Sequence, residues 1–338
     1  MLNDRRMNVL SALVREYVAS VQPVGSRVLV ERYGLGCSPA TVRSELSALE
    51  ETGYVFQPHV SAGRIPTEAG YRMFVDEVIA ERQQGLDPAE ALGVRQRYGE
   101  ADREIGELLR ETSTLLSQLT SYVAVVAAPT LRRARIRRLT LVPLGAQRAL
   151  VVLVTDSGQV ANRPIEFGAD VDAAVLARVE ASLGGALDGA VADVADTLRA
   201  ESAGASGPEV SVMLAVLDAV VELLAEADED RVLTGGVSAL LAHPEFSDPS
   251  VVRPLVGLLE DGLSLLKVLS DVMRSPYVQV RIGHENPSSA LEHASFVAAR
   301  YGDGETGGIV GVIGPTRMDY GRAMGAVKTV ADSLTDVI

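Results

Sequence analysis

The sequence predicts an α+β protein of more than one domain, and three observations carry that reading. The chain has 338 residues, more than one ordinary core accommodates. Residues 5–82 repeat a helical apolar period between capping residues and glycine stops. Residues 136–167 change to short runs of Val, Leu and Ile separated by turns, the pattern of an antiparallel sheet.

Each element follows from local chemistry. Leu10, Leu13, Val14, Tyr17, Val18 and Val21 predict a helix over 5–21, with Asn3 or Asp4 as its cap. Pro23 and Gly25 break the chain, and Ser26 is expected to cap a second helix ending at Gly34. Gly34 and Gly36 make a turn. Ser38 caps a third helix with Pro39 in its first turn. Val42, Leu46 and Leu49 face inward there, while Ala40, Thr41, Arg43, Ser44 and Ser47 face out. Tyr54–Pro58 and Gly63–Pro66 read as strands around the turn Val60-Ser61-Ala62-Gly63. Thr67 caps a helix whose stripe is Tyr71, Phe74, Val75 and Val78. Two helices about a glycine turn, followed by a hairpin, are the order of a winged helix-turn-helix.

Beyond this head, residues 83–97 read as a polar linker and 98–122 as a helix. Ile136–Pro143, Ala149–Asp156 and Gln159–Phe167 form an antiparallel meander. Helices return over 170–227. A loop marked by Pro244, Pro249 and Pro254 precedes a helix over 256–273. Strands resume at Tyr277–Gly283 and Ile309–Ile313, with a helix read between them over 290–301, and a last helix covers 319–336. A sheet that stops and resumes predicts one domain with another inserted in it.

Hydrophobic residues make up 47% and charged residues 22%, a globular balance. No run of about 18 apolar residues predicts a membrane span. The start lacks a signal-peptide core, and Cys37 is the single cysteine, so a cytoplasmic protein without internal disulfides is expected. Net charge is −14, yet residues 1–75 carry eight arginines against seven acids. A locally arginine-lined head can bind phosphate on an acidic body, because charges beyond about 8 Å are largely screened. Binding should be salt-sensitive.

The third helix has the small side chains and single long donor that a major groove admits. Arg43 can fork onto a guanine or a phosphate, with Ser38, Ala40, Thr41, Ser44 and Ser47 around it; an ordinary solvated helix face is the alternative. His59, Ser61 and Arg64 lie on the wing, within reach of phosphate or a narrow minor groove. Ser26 and Arg27 open the second helix, where free N–H groups favour phosphate; Ser26 as a mere cap stands equal to Ser26 as a contact. Arg132, Arg133, Arg135, Arg137 and Arg138 read first as a charged sheet edge and second as a contact to DNA or an acidic partner. One head buries only about 600–1,000 Å² on DNA, so two linked heads in a two-fold dimer are expected.

Residues 302–307, GDGETG, match a dinucleotide loop in spacing, but a helix-glycine-strand order reverses what that loop needs. His59, His243, His284 and His293 are scattered without metal-site spacing. No nucleophile elbow or P-loop occurs. No cofactor, metal or catalysis is expected.

The segments PVGSR (23–27), SPATVRSELSALEETGYV (38–55), QPHVSAGRIPTEAGYRMFVD (57–76), LVPLG (141–145), LVTDSG (153–158), PEF (244–246), IGHEN (282–286) and GVIGPTRMDY (311–320) run in order along the chain. Together they resemble the HrcA family of bacterial heat-inducible transcription repressors. The resemblance implies repression of chaperone operons by a homodimer on an inverted-repeat operator of double-stranded DNA. It implies activity maintained by a GroEL-type chaperonin and lost when heat fills the chaperonin with unfolded clients. It implies a winged-helix domain over 1–82, a linker and connecting helix over 83–122, a discontinuous GAF-like domain over 123–205 and 276–338, and an inserted dimerising domain over 206–275. Cys37 departs from the aliphatic residue expected there. A small-molecule-responsive regulator, sensing a ligand through the GAF-like domain, is the second reading, although no convergent polar set names a ligand.

Overall fold

The computed structural model describes residues 3–81, 85–99, 105–129, 136–155, 160–186, 207–229, 232–269, 272–302 and 307–338. The head begins with α1 (Asp4–Ser20), where the Asn3 side chain accepts the Arg6 N–H. Then come α2 (Ser26–Tyr33), α3 (Pro39–Glu51), the two-residue strands β1 (Val55–Phe56) and β2 (Ile65–Pro66), and α4 (Glu68–Ala80). Leu10, Leu13, Leu29, Val42, Leu46 and Leu49 bury the shared inner face. Gly34 and Gly36 take positive φ (58° and 64°), as the tight turn between α2 and α3 requires. Ser26 does not cap α2. The N-cap is Gly25, with no side-chain bond, and Ser26 is the first helical residue. The wing strands are also shorter than the apolar pattern implies.

The expected linker holds a helix, α5 (Pro88–Tyr98), capped by Asp87. Pro88 begins that helix, because at a first turn proline costs nothing. The following helix, α6, spans Ile105–Thr120. A five-stranded sheet forms the body, in the order β7-β3-β10-β9-β8 with every pairing antiparallel. Its strands are β3 (Val123–Ala127), β7 (Val232–Gly235), β8 (Gln279–Ile282), β9 (Ala294–Tyr301) and β10 (Gly308–Pro315). Ala124, Val126, Val310 and Val312 face the core shared with α6 and α11 (Tyr320–Thr335). Val123, Val125, Ile309 and Ile313 face the opposite core, under α9 (Pro249–Glu260) and α10 (Gly262–Leu269).

Three expectations change here. Residues 294–301 are a strand, not a helix; both faces are covered, so the polar alternation that marks a half-buried strand is missing. The 302–307 glycines accordingly join two strands of a hairpin, with 303–306 outside the described residues. Pro249 and Pro254 stand within α9, the first at its start, where Asp248 caps it.

The third change concerns the insertion. The meander β4 (Ile136–Gly145), β5 (Arg148–Thr155) and β6 (Val160–Glu166) pairs only with itself. One face packs on α7 (Ala173–Ala186) and α8 (Pro208–Glu229) in a separate core around Leu141, Val151, Leu153, Leu176 and Val216. β3 and β7 are neighbours, Ala124 opposite Gly235. The sheet is thus interrupted between these two strands rather than at 206–275. Strand signals in sequence do not say which sheet a strand joins, and that misplaced the meander. Arg137 and Arg138 are exposed on its edge strand, and Arg132, Arg133 and Arg135 lie outside the described residues.

Candidate nucleic-acid interface

The start of α3 is locked by its own side chains. Ser38 Oγ accepts the Thr41 N–H at 3.1 Å and lies 3.0 Å from Thr41 Oγ1. Ser38, Ala40, Arg43 and Ser44 are exposed, while Thr41 and Ser47 are half-buried, Ser47 donating to the Arg43 carbonyl. Several arginines of the head have carboxylate partners: Arg6 with Glu45, Arg27 with Glu31, Arg32 with Glu16 and Arg64 with Glu50. Among the described residues, Arg43 has none. Glu16 is itself buried, and its charge, after burial itself, raises the pKa of Tyr33.

The wing is a closed loop. Gln57 Nε2 donates to the carbonyls of Val60 (3.0 Å) and Ala62 (2.7 Å), which fixes a tip where Val60 is 98% exposed. His59 and Ser61 are exposed beside it. At its base, Val24 and Arg64 exchange backbone hydrogen bonds of 2.9 Å each way. A Cβ on Gly63 would stand 2.4 Å from the Val24 carbonyl carbon, so only glycine allows this approach.

The expected contact residues differ in setting. Arg43, His59, Ser61 and Arg27 present free or lightly paired polar groups. Ser26 is half-buried at the first turn of α2. Arg64 turns to Glu50, and its side chain is only 16% exposed. Gln57 and Glu50 were not singled out in the sequence. A glutamine three and five residues ahead of the carbonyls it closes was the available signal for the first.

A glycine-turn helix pair with a buttressed wing, carrying an exposed guanidinium on the second helix, defines a winged-helix regulator of transcription. The model of the HrcA protein C-terminal domain matches residues 106–324. The heat-inducible transcription repressor HrcA of Beutenbergia cavernae is 40% identical over 353 residues, covering 99% of each chain. That of a Nocardioides species is 40% identical over 344 residues, covering 100% of this chain and 99% of its own. A crystal structure of a hypothetical protein at 2.2 Å superposes with a TM-score of 0.67 at 26% identity, covering 99% of this chain and 98% of that one. The chain belongs to the HrcA family of heat-inducible transcription repressors.

No helix among the described residues is long and apolar enough to cross a membrane, and no group of His, Cys, Asp and Glu among them is arranged to hold a metal ion.

Proposed function

We propose that the chain represses chaperone operons as a cytoplasmic homodimer on an inverted-repeat DNA operator, without a catalytic step, and that a GroEL-type chaperonin sustains it until heat stress. The observation that carries this reading is Arg43, an unpaired guanidinium among small side chains on an exposed helix face. It forks onto a base edge while Ser38, Ala40, Thr41, Ser44 and Ser47 permit close approach. Ser26 and Arg27, with His59 and Ser61, meet the backbone, and Arg64 acts chiefly by holding the wing.

A second copy is assigned to the outer face of the meander. Val142, Leu144 and Val160 are exposed there, beside half-buried Leu150, Val152 and Val154. A sheet face of this kind favours burial against its own copy, and two heads need such a joint. The five-stranded body takes the GAF-like role. The chaperonin dependence is supported by topology: β3 must wait for partners far along the chain, and such pairings close slowly.

A mobility shift of the full chain on an inverted repeat, with and without chaperonin and ATP, tests the reading. Tight binding to the repeat, weak binding to one half-site and a larger active fraction with chaperonin are expected. A monomer indifferent to palindromic DNA would end it, and complete unaided refolding at growth temperature would remove the chaperonin step.

A further inference from the structure

The segments PEF, IGHEN and GPTRMDY are not part of the DNA-reading surface, yet they meet at one place: the seam between head and body. The apolar core there is continuous. Leu13, Tyr71 and Val75 of the head belong to the same buried cluster as Met318, Tyr320, Met324 and Val327 of the body. The Tyr71 and Tyr320 rings lie 5.9 Å apart. Tyr320 is anchored by Ser295 and by the Thr316 carbonyl.

Two polar clasps flank that core. Arg317, 11% exposed, bonds Glu245 at 2.6 Å and donates 2.8 Å to the Val18 carbonyl. Val18 lies in the last turn of α1, where carbonyls lack helical partners and no basic residue of the helix itself is present. The body thus supplies the positive charge that the end of α1 favours. On the other side, Arg72 of α4 bonds Glu285 and donates 2.7 Å to the Val280 carbonyl. Glu68 accepts from the His284 N–H and sits 3.1 Å from its Nδ1. Gly283 leaves room for that carboxylate: a Cβ there would stand 2.1 Å from Glu68 Oε1.

The connecting segment is pinned as well. A Cβ on Gly325 of α11 would stand 2.5 Å from the Gly85 backbone, and Arg322 of α11 holds Glu90 of α5. The head groups that make these contacts, Leu13, Val18, Glu68, Tyr71, Arg72 and Val75, lie on α1 and α4, while Arg43 of α3 and Val60 at the wing tip are exposed. Domains joined by small polar contacts move by default, whereas an apolar, clasped seam does not.

We propose that Arg317, with the Glu68 and Arg72 contacts to residues 283–285, positions the reading head, so that the body sets the separation and rotation at which two heads meet the duplex. Half-site spacing is then selected by this seam, while base identity is selected by α3. The inference rests on the DNA-binding dimer proposed above, and the experiment separates the two.

The test uses the full-length Arg72→Ala/Arg317→Ala variant, the milder Arg317→Lys, and Gly325→Leu, which pushes the connecting segment off α11. Inverted repeats with matched spacing, or with about 5 bp inserted to turn one half-site through half a helical turn, are titrated. Spin labels on Val60→Cys, in a Cys37→Ser background, report the distance between wing tips. The wild type should show one narrow distance and lose its avidity gain, roughly 10²–10⁴, on the inserted spacer. The double variant and Gly325→Leu should show broad distances and bind both spacers within about tenfold, with single half-site affinity unchanged. Arg317→Lys should fall between. Should the double variant fail to fold, Gly325→Leu carries the same expectation through a different contact. Variants that keep the narrow distance and the wild-type spacer discrimination overturn the proposal, as do variants that bind the matched repeat more tightly than wild type. A wild type that ignores the matched repeat sinks the DNA-binding reading itself.

Discussion

Glu50 holds Arg64 through one oxygen, 3.2 Å from Nε and 3.0 Å from Nη2, and so ties the base of the wing to the end of α3. The same arginine pairs its backbone with Val24, just ahead of α2. The wing, α3 and the start of α2 are stitched at a single residue. Glu50→Gln should free the guanidinium for phosphate. Salt titrations should then show tighter, less selective DNA binding and a slope steeper by about one. An unchanged slope would mean that Arg64 stays in place without its partner.

Arg43→Ala should cost about 1–3 kcal/mol of operator binding and relax preference at one base position. The side chain is exposed and unpaired, so thermal unfolding should be unchanged. Equal affinity and selectivity in a base-substitution panel would remove Arg43 from the reading surface.

Ser38→Ala removes the acceptor for the Thr41 N–H and should destabilise the head by about 1 kcal/mol. If α3 reads the operator as proposed, affinity should drop with it, because its first turn frays. Denaturant unfolding compared with binding would expose a Ser38 that acts on one and not the other.

Gly63→Ala meets backbone rather than a flexible side-chain end, so the Val24–Arg64 bridge must open. Overpacking of this kind costs about 1–3 kcal/mol. Loss of amide protection at Val24 and Arg64 in hydrogen exchange is the expected signature, and retained protection would refute it.

His284 stands between Glu68 and Glu292, with Nδ1 3.1 Å from the first and Nε2 3.0 Å from the second. The hydrogen bond and charge of Glu68, with Glu292 behind them, raise its pKa above the ordinary 6.5. Folding therefore tightens this proton, and the matching stability is complete below 6.5 and lost as pH rises through the raised value. Melting followed from about pH 6 to about pH 8, the upper part of the histidine range, should show a decline that His284→Asn lacks. Identical profiles would show that the imidazole does not contribute.

Much of the head was legible because its signals are local. Ser38, Pro39, Gly34, Gly36 and Thr67 act on neighbours within a turn, and the structure uses them as read. Ser26 misled because Gly25 had already taken the extended N-cap conformation. Pro249 misled because a proline at a first helical turn and a proline in a loop look alike in sequence. Arg64 was the right kind of residue, but Glu50, fourteen positions earlier, decides where it points. The seam was beyond local reading altogether: Arg317 finds its acceptor on Val18, 299 positions away.

The pairing of β3 with β10 has a consequence in time. β3 ends at Ala127 and β10 begins at Gly308, an interval of roughly ten to forty seconds at a synthesis rate of about 5–20 residues per second. A ribosome-bound chain therefore holds all four head helices well before Tyr320 and Arg317 emerge to seat Tyr71 and Val18. Until then the back of a finished head is bare.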